Sequence, residues 1–225
     1  MSSVEAQVLK FREFITHGIR ILPLILAFTS LVIGVGVGNV AFAFIAAGLL
    51  LLVPIVSLIG GAAFSWLFAL IPGITALYHH PSSAECGILA SQAPGSMISS
   101  TMSYWTTSVA FFFSYFIFNA ITLFERPAAK TASYEKVQAR KVQSAMAIVV
   151  AGILFLLLIG YRMRVRCESP LGLILGVAGG GALGYGWFEF LKTCSGDRLV
   201  DLFGIANRIM SADRTSVPQV CVPIP

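Results

Sequence analysis

The chain has 225 residues, of which 57% are hydrophobic and 11% are charged, and its formal net charge is +5 at pH 7. Soluble domains usually carry about 25% charged residues, so this composition excludes an ordinary water-soluble domain. The mean hydropathy of +0.86 and the continuous apolar runs predict an all-α fold, because backbone amides in lipid must be hydrogen-bonded within their own segment. We expect a single membrane domain over residues 1–225.

Residues 1–20 are predicted to form an amphipathic helix at the membrane interface. Ser2 and Glu5 have the spacing of a capping box. The apolar side chains fall on one helical stripe, away from the charged ones: Val4, Val8, Phe11, Ile15 and Ile19. Such a stripe lies either on the bilayer surface or against the protein's own bundle, and the sequence leaves both arrangements open.

Residues 21–84 contain no Asp, Glu, Lys or Arg. A spanning helix needs roughly 20 apolar residues, so this stretch allows three short passes or two long ones. We predict breaks at Gly38-Asn39 and Gly60-Gly61, since glycine and asparagine tolerate the backbone angles of tight turns. The alternative is one long helix kinked near Pro54.

Three later apolar runs are also long enough to span: Tyr104 to Phe124, Ser144 to Tyr161 and Pro170 to Phe188. Cytoplasmic loops are enriched in Lys and Arg. With six spans, twelve of the fifteen basic residues share one face with both termini, whereas five spans divide them nine against six. We therefore predict a polytopic transmembrane helix bundle over residues 21–192 with six spans, and five as the alternative.

The segment around His79, His80, Glu85 and Cys86 gathers potential metal ligands in the sequence. The spacing lacks the paired ligands of zinc sites, so we predict a polar loop with no metal and no cofactor. The predicted spans carry no ionisable residue except at their ends. Proton-coupled transport and intramembrane hydrolysis need such groups at membrane depth, so we predict no catalytic residues.

The segment from Glu125 to Gln143 is predicted to contact the membrane surface or a partner protein. Its basic residues are Arg126, Lys130, Lys136, Arg140 and Lys141. Each basic residue near an anionic membrane contributes about 1 kcal/mol to binding. They are not interleaved with stacking aromatic residues, so no nucleic acid partner is expected.

The last predicted span carries a glycine ladder, Gly172, Gly176, Gly180 and Gly184, with four residues from each glycine to the next. Residues at this spacing share one helix face, and without side chains there a second helix can approach until the backbones touch. The neighbouring helix belongs either to the same chain or to another copy, which leaves a homo-oligomer possible.

The four cysteines divide between the two membrane faces. Cys86 and Cys167 lie in loops on one face, while Cys194 and Cys221 lie in the tail on the other. A Cys194–Cys221 bridge would hold the tail, residues 193–225, against the end of the last span. The Cys86–Cys167 pairing and four reduced thiols are equally compatible with the sequence. The tail itself has the periodicity of an amphipathic helix.

Residues 161–225 contain several distinctive pieces: the run Cys167-Glu168-Ser169-Pro170-Leu171-Gly172, the glycine ladder, Trp187, Cys194, the run Asp201-Leu202-Phe203-Gly204-Ile205, and Cys221-Val222. In this region the chain resembles multi-span membrane proteins encoded by large double-stranded DNA viruses of algae and amoebae. The resemblance implies a structural component of the membrane beneath an icosahedral capsid, with no catalytic residues.

We expect a non-enzymatic integral membrane protein that organises a membrane, plausibly a virion inner membrane, and contacts lipid and other membrane or capsid proteins. The alternative is an oligomeric channel or pore in which the glycine-laddered span lies at a subunit interface or lines the conduit.

Overall fold

The computed structural model describes residues 3–71, 79–81, 86, 97–99, 102–127, 134–195 and 202. Within these residues the chain forms helices α1 (Ser3–Arg20), α2 (Leu22–Val37), α3 (Val40–Ala69), α4 (Tyr104–Glu125), α5 (Tyr134–Arg164) and α6 (Pro170–Ser195). Two short strands, β1 (His79–Pro81) and β2 (Met97–Ser99), pair antiparallel with His79 opposite Ser99. The helical prediction is confirmed.

Four of the helices, α3 to α6, are long and apolar enough to cross a membrane. Helices α1 and α2 pass the same test only together, with a bend of 69° between them, which allows up to five spans. The architecture is therefore compatible with an integral membrane protein. The predicted count of six spans is not confirmed.

The two predicted breaks in the first apolar stretch have different outcomes. The break at Gly38-Asn39 is confirmed, because Gly38 is left-handed with φ 68° and Asn39 caps α3 by accepting a hydrogen bond from the Ala41 amide at 3.0 Å. The break at Gly60-Gly61 is wrong, since both residues lie within the α3 helix. Neither residue there has a side chain that could cap exposed amides, so interrupting the helix would leave those amides without partners in lipid.

Helix α3 contains a π-helical turn at Gly48–Leu52 between its α-helical parts, Val40–Ala47 and Val53–Ala69. Pro54 lies two residues after this turn and has no amide hydrogen to donate to it. A local π-turn is one way in which a helix accommodates such an interruption. The alternative of one long helix is therefore confirmed for residues 40–69, with a π-helical turn before Pro54.

Helix α4 lies at the centre of the bundle. Helix α6 runs parallel to it, since Gly176 lies near Thr106 and Gly184 lies near Ser114. Helices α3 and α5 run antiparallel to α4, and Phe113 of α4 packs on Phe155 of α5 with ring centroids 5.6 Å apart.

This arrangement defines two ends. The Glu168 end holds the start of α4, the end of α5 and the start of α6. The Arg126 end holds the end of α4, the start of α5 and the end of α6.

The charged segment from Glu125 to Gln143 is less of a loop than expected, because α5 already begins at Tyr134. Its Glu, Lys, Gln, Ala and Arg residues are strong helix formers, so the helix extends beyond the apolar run. At the C-terminus, α6 continues to Ser195. Beyond Ser195, only Leu202 of the predicted tail is among the described residues, and it is buried in the main hydrophobic core.

Candidate functional site: a buried ion pair at one end of the bundle

The most polar buried contact among the described residues is the ion pair between Arg162 and Glu168, with Nη2 and Oε1 3.0 Å apart. Both side chains are almost fully buried, at 4% and 1% exposure. Arg162 occupies the last turn of α5, and Glu168 lies two residues before α6. The site therefore forms where two membrane-length helices meet.

The turn after α5 brings the two charges together. The Cys167 amide donates to the Arg162 carbonyl and the Arg166 amide donates to the Met163 carbonyl, both at 3.1 Å. These two bonds, with Arg166 at φ 54°, form a Schellman motif. The chain reverses there, which places Glu168 beside the last turn of the helix that carries Arg162.

The Glu168 carboxylate also binds the start of α4. Its Oε1 accepts from the Ser103 hydroxyl at 2.8 Å, and its Oε2 accepts from the Thr106 hydroxyl. Ser103 is the N-cap of α4 and accepts from the Thr106 amide. The carboxylate therefore lies at the positive end of the α4 dipole.

The Arg162 guanidinium contacts two further segments. It lies over the Trp105 ring, 4.6 Å from the ring centroid, at a distance suited to a cation–π interaction. It also donates to the Cys86 carbonyl at 3.5 Å. The indole of Trp105 in turn donates to the Ile19 carbonyl at 2.8 Å, which connects the site to the end of α1.

A disulfide joins Cys86 to Cys167 at the same end, with the two Cα atoms 5.1 Å apart. It links the segment between α3 and α4 to the turn between α5 and α6. This is one of the two pairings that the sequence allowed. Cys194, by contrast, is an exposed free thiol among the described residues. Cys221 lies outside the described residues, so the possible Cys194–Cys221 bridge stays a prediction.

The glycine ladder faces α4 along most of its length. A Cβ added at Gly176 would lie 3.0 Å from Thr106 Cγ2, one at Gly180 would lie 2.9 Å from Ala110 Cβ, and one at Gly184 would lie 3.0 Å from Ser114 Cβ. The Ser114 hydroxyl donates to the Gly181 carbonyl at 2.8 Å. Gly172 lies in the first turn of α6, where its amide donates to the Ser169 hydroxyl at 2.9 Å.

The basic residues predicted as a contact surface lie at the Arg126 end. Arg140 donates to the Arg126 carbonyl, and Lys141 lies 5.8 Å from the centroid of the Phe124 ring. Lys136 is exposed on the first turn of α5, and Lys130 lies outside the described residues. Lys192 on α6 adds a fifth basic side chain, 5.7 Å from the centroid of the Phe188 ring.

The sequence prediction missed the Arg162–Glu168 pair. One signal was available, since Glu168 is the only acidic residue between Glu135 and Glu189. An isolated carboxylate between two apolar helices needs a partner when it is buried. The short separation of Arg162 and Glu168 in the sequence did not by itself indicate that Arg162 would be that partner.

The described contacts of the Glu168 carboxylate come from the chain's own helices, and within the described part of the chain no group of three or more His, Cys, Asp or Glu residues could hold a metal ion. The arrangement is suited to fixing α4, α5 and α6 to one another. Comparisons with protein-family models, curated proteins and solved structures gave no match to this chain.

Proposed function

We propose that this protein is a non-enzymatic structural component of a membrane, a spanning bundle that presents fixed surfaces to lipid and to other proteins. The observation that supports this most directly is the Arg162–Glu168 site. Its charged groups bind one another and the first turn of α4, so their described contacts stabilise the bundle.

The membrane arrangement that we propose has five spans, with α2 as the first and α3 to α6 as the others. Helix α2 has 16 residues and is therefore about 24 Å long, somewhat shorter than the hydrocarbon layer of about 30 Å. Local thinning of the bilayer can accommodate such a short span. The continuous α3 favours five spans over the six expected from the distribution of charge.

In this proposal α1 lies on the membrane surface. It is bent by 69° from α2, and its apolar side chains between Val8 and Ile15 are exposed, with Phe11 65% and Phe14 74% exposed. The hydrogen bonds of Trp105 to the Ile19 carbonyl and of the Tyr161 hydroxyl to the Thr16 hydroxyl hold its C-terminal part at the Glu168 end. A bilayer surface is the apolar environment that such an exposed stripe fits.

The position of α1 is tested by attaching an environment-sensitive fluorophore to single cysteines in the full chain, with Cys194 and Cys221 replaced by serine. At Phe11→Cys the emission should shift to the blue on reconstitution into lipid vesicles. The matched control Glu13→Cys, on the charged side of the same helix, should not shift. Equal emission at the two positions would show that α1 does not lie with this face in the bilayer.

The pore alternative requires the glycine ladder to face a second chain or a conduit, whereas α4 occupies that face in the structure. Planar-bilayer recording of the reconstituted full chain is therefore expected to show no unitary conductance. Conductance steps that disappear in Gly180→Leu would support the pore instead.

Structural function is tested by stoichiometry. In the native membrane, quantitative mass spectrometry should find the chain in a fixed ratio to neighbouring proteins. A ratio of this chain to its neighbours that changes with the expression level of the chain would contradict the proposal.

The further proposal, that this membrane lies beneath a viral capsid, is supported by the resemblance of residues 161–225 alone. It predicts a symmetric copy number in intact particles, which the same measurement on purified virions would test.

A further inference from the structure

We infer that the Glu168 end of the bundle faces an oxidising, non-cytosolic compartment and that the Arg126 end faces the cytosol. The inference goes beyond the proposed structural role and requires only that the bundle spans a membrane. It follows from the redox states of the cysteines at the two ends.

The disulfide belongs to the Glu168 end by direct contact. Cys167 is adjacent to Glu168 in the turn between α5 and α6, and the Cys86 carbonyl accepts a hydrogen bond from Arg162. Helix α4, whose first turn binds Glu168, runs away from this end and reaches the other end of the bundle at Glu125. The bridge therefore occupies one end only.

Formation of the bridge needs an oxidant. The two thiols lose two protons and two electrons as the sulfur–sulfur bond forms, and a protein disulfide of a thiol oxidoreductase accepts them and becomes a dithiol. Such oxidants maintain disulfides in secretory and extracellular compartments, whereas cytosolic thiols are kept reduced. The Glu168 end is thus assigned to the oxidising side.

Cys194 indicates the redox environment at the opposite end of the bundle. It lies in the last turn of α6, at the Arg126 end, and is an exposed free thiol. A disulfide at one end and an exposed thiol at the other are the states expected when the two ends face compartments of different redox poise.

The basic residues agree with this orientation but do not decide it. With five spans, chain order assigns nine of the fifteen Lys and Arg residues to the Arg126 end, which is the weaker of the two divisions considered from the sequence. Cytoplasmic segments are the ones enriched in basic residues. The assignment of the two ends to compartments therefore rests on the disulfide, and the distribution of basic residues is consistent with it.

The first test uses the native cysteines of the full chain with Cys221→Ser, in sealed microsomes whose cytosolic face is outward. A membrane-impermeant polyethylene-glycol maleimide should add to Cys194 without detergent. Cys86 and Cys167 should stay unlabelled in detergent until a reductant is added, and then accept two further maleimides. Labelling of Cys86 or Cys167 without reductant, or protection of Cys194 until detergent is added, would overturn the inference.

The second test places one reporter at each end in the Cys194→Ser, Cys221→Ser background. His17→Cys lies at an exposed position of α1 near the Glu168 end, and Gln138→Cys lies at an exposed position of α5 at the Arg126 end. We expect Gln138→Cys to be labelled in sealed microsomes and His17→Cys to be labelled only after detergent. The opposite pattern would reverse the orientation, and labelling of both in sealed microsomes would also contradict it.

Discussion

Arg162 and Glu168 form a charged pair that is buried within the protein, where water is largely excluded. Removing two ions from water costs several kcal/mol each, and the cost is recovered only when the geometry is good and the remaining polar atoms are bonded. Here the carboxylate receives the guanidinium and two hydroxyl groups, while the guanidinium also contacts the Trp105 ring. These neighbours therefore stabilise the pair, whereas Arg162 Nε is buried without a hydrogen-bond partner among the described residues.

Removal of one partner should destabilise the fold. Arg162→Met leaves Glu168 buried without its countercharge and should lower the free energy of unfolding by about 3–5 kcal/mol. The matched control is Arg164→Met, an exposed arginine of the same helical turn, which should change little. Thermal unfolding of the full chain in detergent measures both, and equal stabilities for the two variants would contradict the buried pair.

The sequence predicted the residue-level features unevenly. The capping role of Asn39 is local, because a glycine-asparagine pair in an apolar stretch has few other uses. The ion pair depends on the turn at Arg166, which adopts the left-handed conformation. Glycine and asparagine are the residues typical of that position at a helix end, so an arginine there does not predict the turn. Its partners on α4 are more than sixty residues away along the chain. Such long-range contacts could not be predicted from spacing.

At the scale of helices, the close approach of α4 and α6 depends on the glycines between them. A Cβ at Gly180 would meet both the Thr107 carbonyl oxygen and the Ala110 side chain. A backbone atom cannot move aside as the end of a flexible side chain can, so the two helices would have to separate.

Gly180→Ala should therefore lower the free energy of unfolding by about 1–3 kcal/mol, the usual cost of overpacking. Gly181→Ala is the matched control, because among the described residues nothing lies within 4 Å of a Cβ built there. By helix propensity alone, it should leave the stability unchanged or raise it by up to about 1 kcal/mol. Denaturation in mixed micelles compares the two variants, and a Gly180→Ala protein as stable as Gly181→Ala would show that α4 and α6 are not in backbone contact.

The helices themselves were largely predictable, since three of the predicted spans coincide with α4, α5 and α6 apart from their ends. The exception is α3, where the predicted break at Gly60-Gly61 is absent from the helix. In an aqueous protein adjacent glycines often end a helix. In an apolar environment a helix interruption is costly unless side chains bond the freed amides, so Gly60 and Gly61 remain helical.

At the scale of the whole molecule, the disulfide joins segments 81 residues apart in sequence. It closes a loop that contains all of α4 and α5. A bond of this span restricts the unfolded chain and, in the chain-entropy account, stabilises the fold by that restriction.

The double variant Cys86→Ser, Cys167→Ser should unfold at a lower temperature than the wild type, with a loss of about 2–4 kcal/mol. Reductant should produce the same loss in the wild type and none in the variant. Cys194→Ser is the control and should match the wild type in both conditions. A reductant-insensitive melting temperature in the wild type would exclude the bridge.

The central position of α4 has a consequence for how the chain tolerates random substitution. Helix α4 is enclosed by neighbours on several sides. Helix α5 contacts α4 along a narrow face and leaves most of its own surface exposed. In saturation mutagenesis of this chain scored by viability, α4 should therefore tolerate few substitutions, even between apolar residues of different shape. The outer face of α5 should accept any apolar residue, so substitutions that accumulate during evolution should be concentrated there.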